Sequence, residues 1–183
     1  MLKPWDTVAS ALAFQHRWYT LRRDTVRLPS GRVIDDYFVS VRPDVAMVYA
    51  TTPEGHIVFV RQYKHGVGQI VIELPAGGFT DEAPATAAAR ELLEETGYRC
   101  SQLHSLGALH DDPTKNTNRI HMYRGTNAER VAAQTLDDNE RDSGVEVLLL
   151  TPAQALAHVR AGIINSQATV ATLYRAFDDV GAG

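Results

Sequence analysis

Apolar residues alternate with polar ones along much of the chain, a pattern typical of β-strands that bury one face. Turn residues interrupt the pattern, as at Pro29-Ser30-Gly31. The alternation predicts strands at Trp18–Leu28, Val33–Val41, Val45–Ala50, Ile57–Tyr63, Gln69–Leu74, Leu103–Leu109, Arg119–Arg124 and Val145–Leu150. We expect the first two to form an N-terminal β-hairpin and the next two to pair across the turn at residues 51–55.

Helical spacing replaces this alternation near the middle of the chain and towards its end. Residues Pro84–Thr96 predict a helix, because proline is tolerated in the first turn and Gly97 follows as a C-terminal cap. Thr151-Pro152 marks a later helix start. In the last helix, core packing is expected of the apolar residues at helical spacing, which are Val170, Leu173, Tyr174 and Phe177. This order of elements indicates a mixed α/β fold.

Composition narrows the class of protein only a little. A chain of 183 residues with 44% hydrophobic and 22% charged residues fits one globular domain with a small appended piece. A net charge of -4 argues against a protein that coats nucleic acid. The single cysteine, Cys100, cannot form an internal disulfide. With neither a signal-like N-terminus nor a membrane-spanning apolar run, the sequence predicts a soluble, cytoplasmic protein.

The most informative segment is the end of the first predicted helix, which carries three carboxylates. Glu91, Glu94 and Glu95 stand at i, i+3 and i+4, so they share an arc of about 100° on one helix face. Leu92 and Leu93 are expected to point elsewhere, toward a core. Like charges at this spacing repel each other unless a cation lies among them. A hard divalent cation is the obvious candidate.

The residues before this helix extend the pattern into a recognisable motif. A strand signal ends in Leu74-Pro75-Ala76-Gly77-Gly78, and Glu82 follows eight residues before Arg90. This order resembles the Nudix box, GxxxxxE, seven further residues, then REUxEExGU, with U a bulky apolar residue. The second part matches at Glu82, Arg90, Glu91, Leu92, Glu94, Glu95, Gly97 and Tyr98. The first glycine of the motif falls on Ala76, so the loop looks one residue shorter, and Gly77 is expected to supply the tight turn.

The resemblance implies a fold and a metal. It implies the family's α/β/α sandwich with a mixed sheet over residues 42–183, preceded by an N-terminal β-hairpin extension over residues 1–41. It also implies Mg²⁺, with Mn²⁺ able to substitute, because carboxylate and phosphate oxygens are the ligands Mg²⁺ prefers. The implied metal ligands are Glu91, Glu94, Glu95 and the backbone carbonyl of Ala76. Arg90 would orient one of the acids, Glu94 first, through a charge-assisted hydrogen bond.

A general base is harder to assign, because the motif itself uses its carboxylates on the metal. In the ADP-ribose pyrophosphatase branch of the family, a glutamate in a mobile loop before a late strand helps to position or deprotonate the water. The matching segment here is residues 137–144, where Ser143 takes the place usual for that glutamate. Glu140 is our first choice and Asp142 the alternative. A solvated acidic loop is the competing interpretation for both.

Features outside the motif bear on the substrate. Val60-Arg61-Gln62-Tyr63 and the later Glu73 resemble the branch that acts on ADP-ribose and sugar nucleotides, where the arginine contacts phosphate and the glutamate lies in the pocket. In that branch the N-terminal hairpin commonly crosses to a second subunit, which implies a homodimer. Trp18 and Tyr19 could stack a nucleobase there, although packing against a neighbouring sheet is the alternative.

The predicted function is therefore Mg²⁺-dependent hydrolysis of the pyrophosphate bond of a nucleoside diphosphate derivative. ADP-ribose is the first expected substrate, with AMP and ribose 5-phosphate as products, and no nucleic acid or membrane partner is expected. Two alternatives stay open. One is another nucleotide substrate, such as GDP-mannose, a different sugar nucleotide or a damaged nucleoside di- or triphosphate. The other is a non-catalytic nucleotide-sugar sensor, which the complete set of motif carboxylates disfavours.

Overall fold

A computed structural model describes residues 1–181, so the last two residues of the predicted 42–183 domain lie outside the described residues. The described chain divides into two units. The first contains Met1–Pro43 and His110–Arg119, and the second contains Asp44–Leu109 and the residues from 120 onward. Within residues 1–181, none of the helices is long and apolar enough to cross a membrane.

The first unit is built on a three-stranded antiparallel sheet in the order β1-β2-β3, formed by Asp6–His16, Tyr19–Arg27 and Val33–Val41. The predicted hairpin is present as β2 and β3, and β1, which was not predicted, adds a third strand. Every residue of β1 is exposed. A strand without a buried face has no reason to alternate apolar with polar residues, so its sequence carries no period-2 signal.

The second unit contains the remaining strands. A four-stranded sheet has the order β7-β4-β10-β9, with β4 parallel to β10 and antiparallel to β7, so this sheet is mixed. A three-stranded antiparallel sheet has the order β12-β5-β6, and β11 pairs with β8. These strands are β4 Asp44–Ala50, β5 Ile57–Lys64, β6 Gln69–Glu73, β7 Ala76–Phe79, β8 Tyr98–Arg99, β9 Leu103–His110, β10 Arg119–Gly125, β11 Glu129–Arg130 and β12 Val145–Leu150.

The predicted pairing of Val45–Ala50 with Ile57–Tyr63 is wrong. The strand β4 pairs with β7 and β10, while β5 pairs with β12 and β6. An isolated antiparallel bridge links Thr51, the residue after β4, to Ile57, the first residue of β5. The last five residues of β4 are all buried, as expected of a strand that has neighbours on both edges and is covered on both faces.

The helices are α1 Pro84–Thr96, α2 Asp138–Ser143, α3 Pro152–Arg160 and α4 Gln167–Gly181. The bounds of α1 agree with the prediction, and Thr151 caps α3 by accepting a hydrogen bond from the Gln154 backbone. Two expectations are wrong. The segment expected to be a loop contains α2, and Tyr174 is 53% exposed, whereas its neighbour Leu173 is fully buried. A helix turns by about 100° per residue, so Tyr174 points away from the buried face that its neighbour Leu173 occupies.

Two apolar clusters lie on opposite faces of β4. Met47 and Tyr49 pack with Leu173 and Ala176 of α4. The intervening residues of β4 pack on the other side with residues of α1, a cluster that includes Ala46, Val48, Ala50, Ala87, Ala88 and Leu92. The second unit is thus an α/β/α sandwich, as predicted. Burial of Leu92 contributes about 1.5–3 kcal/mol to holding α1 on the sheet.

Candidate active site

The helix α1 directs its carboxylates into a cleft of about 420 Å³. The helix ends at Gly97, whose φ of 75° is left-handed and whose N–H donates to the Leu93 carbonyl at 2.8 Å. Burial of Leu92 against the sheet turns the glutamate face toward the cleft. The cleft is lined by Ala76, Gly77, Gly78, Arg90, Glu91, Glu94, Glu95, Thr135, Leu136, Asp137 and Glu140. The structure therefore brings the three carboxylates of α1 and Glu140 into one cleft.

Glu95 is the most deeply buried of these carboxylates, with 3% of the residue exposed. Its Oε2 accepts a hydrogen bond from the backbone N–H of Ala76 at 2.9 Å. Burial nevertheless dominates and raises the pKa of Glu95 to about 8, and the nearby Glu91 and Glu140 add to the increase. Burial also raises the pKa of Glu91, against the opposing charge of Arg90.

Arg90 binds three carboxylates at once. Its Nη1 donates to Glu91 at 2.7 Å and to Glu94 at 2.8 Å, and its Nη2 donates to Glu82 at 2.7 Å. These bonds, with Glu82 first, raise the pKa of Arg90 above its ordinary value. The predicted contact with Glu94 is observed, and the contact with Glu82 explains that residue's place in the motif. No contact of Glu82 was predicted, although its fixed spacing from Arg90 in the motif was the available signal.

Gly77 does not make the tight turn expected of it. It lies within β7, where it pairs with Ala46, and it is not among the residues with a positive φ. A Cβ atom at residue 77 would overlap the carboxylate of Glu91 in its present position, so the glycine leaves space for that carboxylate. The motif glycine thus makes room for a side chain of the cleft rather than bending the backbone.

The short helix α2 carries one of the two base candidates into the cleft. Asp137 caps α2 by accepting a hydrogen bond from the Glu140 backbone at 2.8 Å, and the Glu140 carboxylate accepts one from the Asp137 backbone at 2.9 Å. Glu140 lines the cleft, whereas Asp142 is exposed and is not part of its lining. The Asp-x-x-Glu spacing of this capping box was a readable signal for the helix.

The donors in the cleft suit a hard divalent cation. They include the carboxylate oxygens of Glu91, Glu94 and Glu95 from α1, a ligand type that Mg²⁺ prefers. A cation among them would also favour the charged form of Glu95, which burial disfavours. In the described part of the chain, no group of three His, Cys, Asp or Glu side chains already has a metal-binding arrangement. The guanidinium of Arg90 contacts both Glu91 and Glu94, so these acids would share their oxygens between Arg90 and the ion.

Arg61 lies in a second groove, of about 280 Å³. Its Nε donates to the carboxylate of Glu146 at 2.9 Å, a pair formed by residues opposite each other on β5 and β12. The groove is lined by Arg61, Gln62, Tyr63, Ile70, Ser143, Gly144 and Glu146. Arg61 is therefore separate from the carboxylate cleft.

The other predicted substrate residues lie elsewhere. Glu73 forms an ion pair with Lys64 at 3.7 Å and lines neither the carboxylate cleft nor the groove. Trp18 and Tyr19 belong to the first unit and are exposed by 67% and 45%. The guanidinium of Arg17 lies 4.9 Å from the centre of the Trp18 ring, a cation–π distance.

Comparisons with known families agree with this fold and motif. The sequence matches the NUDIX domain over residues 41–169 and the nucleoside diphosphate sugar hydrolase N-terminal domain over residues 5–40. This chain belongs to the Nudix family. It is accordingly a pyrophosphohydrolase by family, and the resemblance seen in the sequence is confirmed.

The relatives of this chain carry several different names. The chain is 33% identical to the methanol dehydrogenase activator of Bacillus methanolicus, over 92% of this chain and 90% of that protein. It is 32% identical to an ADP-ribose pyrophosphatase of Mycobacterium tuberculosis, over 92% of this chain and 82% of that protein. GDP-mannose pyrophosphatases are more distant relatives. A solved ADP compounds hydrolase shares the fold, with a TM-score of 0.86, 16% identity and coverage of 100% of this chain and 97% of that one.

Proposed function

We propose that this enzyme hydrolyses the diphosphate linkage of nucleoside diphosphate derivatives, with ADP-ribose as its preferred substrate and AMP and ribose 5-phosphate as products. The observation that carries the proposal is the convergence of Glu91, Glu94, Glu95 and Glu140 on one cleft. A concentration of carboxylates beside one arginine suits a metal-assisted reaction on a polyanion. Such a cleft does not suit an apolar substrate, which would need a lining of apolar side chains.

The proposed cofactor is Mg²⁺, with Mn²⁺ able to replace it. Its ligands would be Glu91, Glu94, Glu95 and the backbone carbonyl of Ala76, and all four residues line the cleft. Bound there, the ion would neutralise charge on the diphosphate and favour deprotonation of an attacking water. Arg90 would keep Glu91 and Glu94 oriented through its hydrogen bonds to both carboxylates.

Glu140 is the proposed general base, and Asp142 becomes the weaker alternative. Glu140 lines the cleft, so its carboxylate can receive the proton of a water that attacks phosphorus. Geometry comes before pKa in such an assignment, and Asp142 does not line the cleft. No covalent intermediate with the protein is needed, because water itself is the nucleophile.

The groove around Arg61 is the proposed site for one of the groups joined to the diphosphate. Glu140 lines the cleft and Ser143 lines the groove, and residues three apart on a helix are neighbours at about 5 Å. A substrate with a group on each side of its diphosphate can therefore extend across α2. Arg61 would contact phosphate, and Tyr63 offers a flat surface beside it. Glu73 pairs with Lys64 and lines neither the groove nor the cleft, so it is kept as a substrate-binding candidate only because the family resemblance implies it.

A homodimer is the proposed assembly, with residues 1–41 as the extension that joins the two copies and 42–183 as the catalytic domain. Support comes from the exposed apolar side chains of the first sheet, among them Val8, Leu12 and Phe14. In this assembly Trp18 and Tyr19 would stack the nucleobase. Light scattering on the full chain tests the idea: a dimer is expected, and a monomer at working concentration would rule it out.

GDP-mannose is the second candidate substrate, because GDP-mannose pyrophosphatases are among the relatives. A panel containing ADP-ribose, GDP-mannose, other sugar nucleotides and an oxidised nucleoside triphosphate, each with Mg²⁺, separates the candidates through mononucleotide release. We expect the highest kcat/KM for ADP-ribose. Binding of a nucleotide sugar without cleavage of any compound would instead identify a sensor.

A further inference from the structure

The carboxyl end of α1 is covered by a short segment, residues 131–136, that leads to Asp137, the N-terminal cap of α2. The backbone N–H of Thr135 donates to the Glu94 carbonyl at 2.8 Å, and that of Val131 donates to the Gly97 carbonyl at 2.9 Å. The last carbonyls of a helix have no partner within the helix, so this segment satisfies groups that would otherwise need water. It also fixes where the chain begins its path toward Glu140.

The side chain of Gln134, which belongs to this segment, bonds to two residues that are far from it in the sequence. Its Nε2 donates to the backbone carbonyl of Glu95 at 2.6 Å and to that of Val145 at 3.0 Å. Both partners are carbonyl oxygens, so the amide nitrogen and not its oxygen must face them. One side chain thereby joins the helix that carries the cleft carboxylates to the first residue of β12.

The position of α2 depends on such links because packing contributes little to it. None of the residues 138–143, all of which the structure describes, is buried. The helix is bounded by its cap Asp137 and by Gly144, which immediately precedes Val145. Its N-terminal side is anchored through Thr135 and its C-terminal side through Gln134.

We propose that Gln134 is a positioning residue that holds α2, and with it Glu140, over the carboxylate cleft. The inference rests on the proposed function insofar as Glu140 is the base. Gln134 touches no reacting atom. Its two hydrogen bonds set the separation between the α1 carboxylates and Glu140, and catalysis is sensitive to displacements of about 1 Å.

Hydrogen exchange on the substrate-free protein tests the structural half of the proposal. Gln134→Met removes both donors at similar volume, and Gln102→Met makes the same change at an exposed loop position. Because each of the two lost hydrogen bonds contributes about a factor of five, we expect the amides of Thr135, Arg141 and Gly144 to exchange about 25-fold faster in Gln134→Met. Gln102→Met should leave them unchanged. Unaltered exchange in Gln134→Met would overturn the proposal, and Gln134→Asn, one methylene shorter, repeats the test if the methionine variant folds poorly.

A double-mutant cycle with Glu140→Gln tests the functional half. We expect Gln134→Met to lower kcat about tenfold in the wild-type background, to leave KM within twofold, and to have less than a twofold effect when Glu140 is already Gln. An equal loss in both backgrounds would mean that Gln134 acts on the fold in general, and would overturn the proposal.

The two halves also separate this proposal from the proposed function. If the wild-type enzyme cleaves no nucleoside diphosphate derivative, the proposed function fails, while the exchange experiment still decides whether Gln134 holds α2. If Glu140→Gln is fully active, Glu140 is not the base, and a positioning role for Gln134 in catalysis fails with it.

Discussion

The two helices that supply the cleft are held in place by different forces. In α1, Ala87, Ala88 and Leu92 are buried against the sheet, and Glu95 is buried beside them. In α2 no residue is buried, so hydrogen bonds take the place that packing has in α1. Its capping box and the flanking bonds from Thr135 and Gln134 are what fix it.

The difference indicates a division of labour within one site. Groups that bind the proposed metal stand on a rigid, packed element, where small displacements are resisted by the core. The proposed base stands on an element with no buried residue, held largely by hydrogen bonds that each contribute about 0.5–1.5 kcal/mol. Changes in α1 should therefore abolish activity or metal binding, while changes around α2 should lower turnover and spare the fold.

The largest effect is expected at Glu95. Glu95→Gln keeps the shape of the side chain but removes its charge from the proposed metal site, so kcat should fall at least about a thousandfold. The circular dichroism spectrum and Tm should stay close to those of the wild type, because Leu92 and its neighbours still pack. Near-normal hydrolysis by this variant would remove Glu95 from the metal site.

The next largest effect separates the two acids of α2. Glu140→Gln should lower kcat about a hundredfold, the usual range for removal of a general base. Asp142→Asn, which makes the same change on the exposed side of the helix, should stay within about twofold of the wild type. If the two variants lose activity equally, or only Asp142→Asn does, the assignment of Glu140 is wrong.

A methyl group placed in the cleft should displace a carboxylate without unfolding the protein. In Gly77→Ala the new Cβ would overlap the Glu91 carboxylate, which can swing away because it is the end of a flexible side chain. A displacement of about 1 Å should lower kcat by a factor of several tens, with little change in Tm. Gly66→Ala is the matched control, since a Cβ at that position meets open space. An active Gly77→Ala variant would show that the position of Glu91 is not critical.

The pH dependence of metal binding should report on α1. Burial raises the pKa of Glu95 from 4.5 to about 8, so at neutral pH this carboxyl is largely protonated in the metal-free protein and must lose its proton to bind Mg²⁺. Calorimetric Mn²⁺ affinity should therefore rise with pH, by up to about tenfold per unit below pH 8. The linked effect on stability has the opposite sign. The contribution of Glu95 to the free energy of unfolding is fully present below about 4.5 and is lost as pH rises through about 8.

Glu95→Gln is the control for this titration, because it removes the ionisable group. In the metal-free variant, the part of the decline in unfolding free energy between pH 4.5 and 8 that belongs to Glu95 should disappear. An unchanged decline would assign the titration to another group.

The smallest effect is expected from a helix cap. Asp137→Ala breaks the capping box of α2 and frees Glu140, so kcat should fall about fivefold, in line with the roughly 1 kcal/mol that such caps contribute. Thr151→Ala breaks the equivalent box of α3, away from the cleft, and should reduce Tm but spare kcat. Loss of turnover in both variants would show that cap removal acts through general destabilisation.

The same contrast explains which elements could be predicted. The bounds of α1 follow from its proline, its terminal glycine and its apolar face, all of which are local signals. The helix α2 is too short to show a period and buries nothing, and its capping box was the one signal that it offered. A hydrogen-bonded element leaves fewer marks in a sequence than a packed one does.

Strand pairing was harder to predict than strand position. Alternation located β4 and β5, but it contains no information about partners, and the short connection between them suggested a hairpin that does not form. The strand β7 was missed because Ala76-Gly77-Gly78-Phe79 resembles a loop. The role of Gly77 is visible only in the structure, where the Glu91 carboxylate occupies the space that a side chain at residue 77 would fill.

The site was predictable where a motif fixed its spacing. The glutamates of α1 and Arg90 were expected together and do share the cleft. The contribution of Gln134 could not be foreseen, since its contacts join residues 39 and 11 positions away in the sequence.

Locating a bound metal is the most direct test of the central claim that the α1 carboxylates form a catalytic metal site. The measurement is anomalous diffraction from crystals grown with Mn²⁺ and a non-hydrolysable methylene analogue of ADP-ribose. The account predicts at least one Mn²⁺ peak in the cleft, coordinated by Glu95 and Glu91 or Glu94 and by the analogue's phosphate oxygens. Bound analogue with Mn²⁺ held by none of these glutamates would contradict it.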